Sequence, residues 1–227
     1  MIFPIDEREN QPTVVKQVHF IILRMLKIID QVCKKHQIDY WLEYGTLLGA
    51  IRHKGFIPWD HEADIGMLRV DYIRFKQIIQ DILPDDLFFQ TSETDPFYKS
   101  GDIIDAKIRD RYSHYPGFEE FGWQNGIQID IFVYDLYENW DNCIVNGFEL
   151  IYSKGSIHLK FNEIEQVIDH EFEGIQLPVP IGYHEYLRRA YGNYMILPEA
   201  TEQIFPNVDP FLPSNHSESR NWTERRK

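Results

Sequence analysis

The chain has 227 residues, 43% of them hydrophobic, with 36 acidic against 23 basic side chains and a net charge of −13. That length and apolar content suit one compact domain, or one with a small C-terminal addition. The acidity excludes the basic footprint of a nucleic-acid binder, and the lack of a run of roughly 18 apolar residues excludes a transmembrane helix. A nucleotide-using enzyme is not excluded, because bound metal offsets the charge of a phosphate donor locally. Cys33 and Cys143 give neither a disulfide framework nor C-x-x-C spacing, and Met1 to Gln11 lacks an apolar signal core. A cytoplasmic location is the expectation. Asn215-His216-Ser217 and Asn221-Trp222-Thr223 fit the glycosylation pattern and read as chance without a secretory signal.

Thr13 to His36 reads as a long amphipathic helix, with Val14, Val18, Ile21, Ile22, Met25, Ile28, Ile29 and Val32 at three- and four-residue spacing. Tyr40 to Glu43 reads as a first strand ending in a turn at Gly45, and Thr46 to Arg52 as a short helix whose N-terminus points at that turn. Asp60 to Leu68 reads as the second strand. Asp71 is expected to cap a helix that runs to about Leu83, before Pro84. Leu87 to Gln90 and Ile103 to Arg109 look like strands. Ile127 to Val133 is a clearer one, with Ile127, Ile129, Ile131 and Val133 on one face and Gln128, Asp130 and Phe132 on the other. Tyr134 to His170 shows no assignable pattern, and Glu171 to Leu177 reads as extended. Tyr183 to Tyr191 reads as a helix stopped by Gly192. The chain is polar from Ser214 onwards.

The most informative stretch is Gly45 to Met67. Asp60, Glu62 and Asp64 alternate, so on a strand all three carboxylates face one way, opposite His61, Ala63, Ile65 and Met67. Read alone, such a run also describes a solvated strand edge. Three neighbours weigh against that: the apolar run Ile65 to Leu68, the rigid lead-in Phe56-Ile57-Pro58-Trp59, and the Gly45-Thr46 turn close upstream. Three acids on one face repel each other, and a divalent cation with oxygen ligands resolves the repulsion. The Gly45-Thr46 turn offers backbone N–H groups to a phosphate.

These residues resemble the LicD family of phosphotransferases. The resemblance rests on Gly45-Thr46-Leu47-Leu48-Gly49-Ala50, Arg52, Gly55, Ile57-Pro58-Trp59-Asp60, Asp64, Gly66 and Met67, with Glu62 where the family usually has Asp. It continues through Ala106-Lys107-Ile108-Arg109-Asp110, Gly126 to Phe132, Phe172 to Pro180, Tyr186-Leu187, Tyr191-Gly192 and Leu197-Pro198. It implies a nucleotidyltransferase-like α/β (α+β) fold, a mixed sheet flanked by helices. Residues 1–38 would be an N-terminal helix packing on the core, 39–200 the catalytic domain and 201–227 a polar tail.

It also implies transfer of a phospho-alcohol, most often phosphocholine, from a CDP-activated donor such as CDP-choline to a glycan hydroxyl. Mg2+ (or Mn2+) would be held by Glu62 and Asp64. Asp130 would bind a second metal or take the acceptor's proton, with Asp60 the second choice for that base; read alone, Asp130 is equally a buried, hydrogen-bonded acid. Gly45 and Thr46 would meet the donor phosphate, with Arg52, Lys107 and Arg109 as clamps. His53 and His61 lack zinc spacing. Trp59 reads as core, and Trp123, in a Gly-flanked loop, is open to packing or to stacking on a base. Nucleotidyl transfer to a small molecule and a catalytically silent glycan- or partner-binding relative stand as alternatives, the second because of Glu62. Contact with a membrane surface through a lipid-linked acceptor is compatible, although no basic amphipathic helix is present.

Overall fold

Thr13 opens the first helix by accepting a hydrogen bond from Lys16 N at its Oγ1, 3.3 Å away, which satisfies one of the amides the helix leaves over. The structure is a computed structural model describing residues 1–99, 103–118, 123, 125–137, 142–153 and 157–213. In it α1 (Val14–His36) ends at Gln37, which takes the left-handed conformation, with Lys34, Lys35 and His36 in the last turn where cations complement the helix dipole. The stripe from Val18 to Val32 is buried, whereas Val14, at the first turn, is exposed.

Among the described residues nine strands follow in chain order: β1 (Trp41–Leu42), β2 (Ala63–Leu68), β3 (Leu87–Gln90), β4 (Ala106–Asp110), β5 (Gln128–Leu136), β6 (Cys143–Val145), β7 (Leu159–Lys160), β8 (Val167–Phe172) and β9 (Ile175–Pro180). The remaining helices are α2 (Tyr44–His53), α3 (Arg69–Ile82) and α4 (Tyr183–Tyr191). The main sheet runs β1-β2-β5-β4-β3, and β6 and β7 continue from the far end of β5. Only β2 and β5 are parallel; the other pairs are antiparallel. The fold is therefore α+β with a mixed sheet, as expected. One face of β5, carrying Ile129, Ile131 and Val133, is buried in a core that also takes in α1, α3 and residues as distant as Val208. The N-terminal helix and the sheet thus share one core.

Several expectations need correction. Glu43 caps Tyr44 N through its own side chain, and Tyr44 turns the chain straight into α2 with φ 41°, so Gly45 lies in the first helical turn rather than in a turn before it. Strand β2 begins at Ala63; Asp60 and Glu62 precede it, because Asp60 N closes a turn onto Ile57 O at 2.9 Å. Helix α3 begins at Arg69 with Leu68 at the cap position, and Asp71 sits inside the first turn, bonded to Arg74. The stretch 134–170, unassigned from the sequence, holds the end of β5, the short strands β6 and β7, and most of β8. Glu171 to Leu177 is not one extended run. It crosses a two-residue hairpin turn at Glu173 and Gly174, both at positive φ. Helix α4 ends at Gly192 as expected, at φ 63°. Both glycosylation-like triplets lie outside the described residues.

Candidate active site

Strand register builds the site. Asp64 on β2 lies opposite Asp130 on β5, and Asp130 lies opposite Lys107 on β4. Side chains at paired positions share a face, so the three form a row across neighbouring strands. One step along each strand on that face stand Gln128 and Arg109, themselves paired, and Gln90 on β3 lies opposite Lys107. Asp60 and Glu62 arrive from the loop before β2. Their convergence with Asp64 survives, but a loop rather than strand alternation produces it.

The loop is held at both ends. His19 on α1 hydrogen-bonds Asp60 O at 2.9 Å, and Tyr115 Oη donates to His61 O at 2.9 Å. Gln128 Nε2 donates to Glu62 Oε2 at 2.8 Å. Thr46 Oγ1 accepts from Asp64 N at 2.8 Å, tying the first turn of α2 to the start of β2. Gly45 packs closely on the acids: a Cβ there would stand 3.1 Å from Asp60 Oδ2, a tight contact, and 3.9 Å from Asp64 Oδ2, an ordinary one. The helix ladder itself supplies no partner for the Gly45 and Thr46 amides in this first turn.

The electrostatics are those of crowded acids. Burial, then Glu62, pushes the Asp60 carboxyl up to about 6. Burial raises Asp64 well above the usual carboxylate range, reinforced by Glu62, Asp130 and Asp60. Asp130 is also raised by burial, but Lys107, whose Nζ is 2.5 Å from Asp130 Oδ1, opposes the shift. Lys107 is lowered by burial and supported by Asp130. Arg109 is 4% exposed and bonds neutral partners, Gln90 Oε1 and Gly126 O. Four carboxylates thus face two cations, and a divalent cation bound to oxygens would relieve the excess. All-oxygen donors are the chemistry that Mg2+ or Mn2+ takes, but among the described residues no three of these site carboxylates bring ligand atoms within 4.8 Å of one another.

The tightest carboxylate trio among the described residues lies elsewhere: Asp6, Asp86 and Asp110. Arg8 bridges Asp6 and Asp110, and Arg24 pairs with Asp86, so every carboxylate of that cluster already has an arginine partner. Arg52 makes no ion pair with the site acids among the described residues, although Tyr191, which feels both Asp64 and Asp60, is also its neighbour. Arg52 lies seven residues beyond Gly45, about 10 Å along α2. Its Nη1 donates to Tyr194 O at 3.0 Å. The sequence reading gave no role to Gln128 and Tyr115, which fix the acidic loop. Gln128 had a signal, its place two residues before Asp130. Tyr115 had none.

A family model described as LicD/FKTN/FKRP, nucleotidyltransferase domain, matches residues 37–181, which include the acids, the first turn of α2 and the Lys107 row. The chain belongs to the LicD family. It is similar to the lipopolysaccharide cholinephosphotransferase LicD of Haemophilus influenzae, 26% identical over 83% of this chain and 94% of that protein. It is also similar to two mouse proteins, the ribitol-5-phosphate transferase FKTN (27% identical, 82% of this chain, 36% of that protein) and the ribitol 5-phosphate transferase FKRP (25% identical, 69% of this chain, 26% of that protein). The LicD-family chain therefore spans nearly all of the bacterial relative and about a third or less of the mouse ones. Among the described residues no helix is long and apolar enough to cross a membrane.

Proposed function

We propose that this LicD-family chain transfers a phospho-alcohol, phosphocholine in the first instance, from a CDP-activated donor to a hydroxyl of a glycan such as a lipopolysaccharide precursor. The carrying observation is the row Asp64–Asp130–Lys107 across three strands, with Asp60 and Glu62 converging on it beside the first turn of α2. Phosphoryl transfer needs positioning and charge neutralisation more than covalent chemistry from the protein. Asp64 and Glu62, with Asp130, would hold Mg2+ or Mn2+, which when bound neutralises charge on the donor diphosphate. Lys107 brings positive charge to the same face, with Arg109 one step further along β4, and the Gly45 and Thr46 amides complete the phosphate cradle. Asp130 or Asp60 takes the acceptor's proton. We assign Arg52 to holding the segment at Tyr194 rather than to phosphate. Both cysteines are buried and free, which accords with a cytoplasmic site.

Calorimetry with CDP-choline, CDP-ribitol, CDP-glycerol and UTP, each with Mg2+ and with chelator, tests this reading. One CDP-alcohol should bind in a metal-dependent way and lose binding in Asp64→Ala. Binding of UTP alone would turn the reading to nucleotidyl transfer, and no binding by folded protein would turn it to a silent binding module.

A further inference from the structure

Beside the acids lies a cavity of about 440 Å³. Glu62 and Lys107 line it where it meets the row of site residues. Its walls are largely ring and aliphatic surface, with Tyr115, Phe118 and Trp123 among them, and Phe118, 48% exposed, is the most open of the three. Polar groups break this lining, His61, Gln128 and Asn207 among them, and two more bear on what the cavity takes. Arg109 carries a buried guanidinium with no carboxylate in ion-pair range among the described residues. Asn125 is 2% exposed, and its buried Oδ1 has no hydrogen-bond partner among the described residues. A buried acceptor left unpaired costs free energy that a bound donor recovers.

We infer that this cavity is the base subsite of the donor nucleotide and that Asn125 with Arg109 selects cytosine. The inference rests on the donor reading above. Cytosine presents an exocyclic amino donor beside two acceptors, N3 and O2. Asn125 Oδ1 accepts from the amino group, Arg109 donates to an acceptor on the same edge, and the rings supply stacking surface. Uracil places a carbonyl oxygen where cytosine has its amino group, against Asn125 Oδ1. A base seated here leaves its phosphates at the end lined by Glu62 and Lys107. A quaternary ammonium is disfavoured in the same cavity, because the Arg109 charge repels it.

The test is calorimetry on the full chain in Mg2+ with CDP, UDP and pyrophosphate, for the native protein, Asn125→Ala and Phe118→Ala. Native protein should bind CDP roughly tenfold or more tighter than UDP. Asn125→Ala should weaken CDP roughly tenfold, erase that preference and leave pyrophosphate binding unchanged, which also shows that the variant is folded. Phe118→Ala, at an exposed position, should weaken CDP and UDP together. CDP binding that depends on Mg2+ but is untouched in both variants, or native protein that binds CDP and UDP equally, overturns the base subsite and leaves the donor reading standing. Failure of native protein to bind CDP, with pyrophosphate still bound, overturns the donor reading and the subsite with it. Should Asn125→Ala fail to fold, the native preference and Phe118→Ala decide.

Discussion

Asp64 is charged at a cost, because burial and three neighbouring carboxylates oppose its ionisation. Removing the charge should help the fold and harm the site. Asp64→Asn is expected to raise Tm in chelator while lowering transfer activity on the order of a hundredfold or more, as when a preorganised electrostatic group is lost; thermal melts and an activity assay check both. Asp60 sets a pH dependence. Its folded pKa of about 6 lies above its ordinary 3.8, so in metal-free protein this group's contribution to stability is fully present below pH 4 and is lost as pH rises through 6. A cation bound beside Asp60 favours its ionised form, so Mg2+ affinity should strengthen between pH 5 and about 7, read by calorimetry across that range.

At the scale of elements, the entry into α2 decides where the phosphate amides stand. Tyr44 holds a left-handed backbone conformation, which costs a non-glycine residue about 1 kcal/mol or more. Its ring packs on Phe132 and Phe148, and its hydroxyl accepts from Asn146 Nδ2 at 2.9 Å, so the surroundings over-determine it. Beneath it Glu43 and Glu149 are both buried, with Trp41 Nε1 on Glu43 and the Tyr44 and Tyr134 hydroxyls on Glu149. Burial first, then Glu43, raises Glu149 to about 9. A carboxyl raised in this way stabilises the fold below its ordinary pKa of about 4.5 and loses that contribution as pH rises towards 9. Glu149→Gln should therefore match the native protein near pH 5 and melt higher at pH 8.5, the gap widening with pH. In α1, Ile22 is fully buried, and Ile22→Ala is expected to cost about 2–5 kcal/mol in urea unfolding.

Across the whole molecule, Arg8 joins segments far apart in sequence. It is fully buried, binds Asp6 and Asp110, and donates to Pro210 O at 2.7 Å. The chain near Asp209 is further pinned by its bridge to His114, and Pro206 and Asn207 from this segment line the cavity beside the acids. Arg8→Met leaves Asp110 buried and uncompensated, so about 3–5 kcal/mol of stability should be lost. Susceptibility to limited proteolysis after residue 200 should increase as well, and mass spectrometry of the digest checks it.

Much of this protein is written in local pattern. The periodic stripe of α1, the alternation of β5 and the glycine stop of α4 are short-range consequences of burying one face, and residues close in sequence determine them. The motif from Gly45 to Met67 marked the site because its acids and glycines need each other within a few ångströms. The short strands β6 and β7 left no period to read, and the hairpin turn at Glu173 was hidden by apolar neighbours on both sides. Register between β2, β5 and β4 was likewise beyond local pattern, although it alone aligns Asp64 with Asp130 and Lys107. The sequence by itself determined the family, the longer elements and the run of acids. Only the tertiary structure decided that Arg52 donates to Tyr194 O, that arginines pair with the Asp6 cluster and that Asn125, lining a cavity, has its Oδ1 unpartnered among the described residues, because each depends on partners brought together by packing rather than by proximity along the chain.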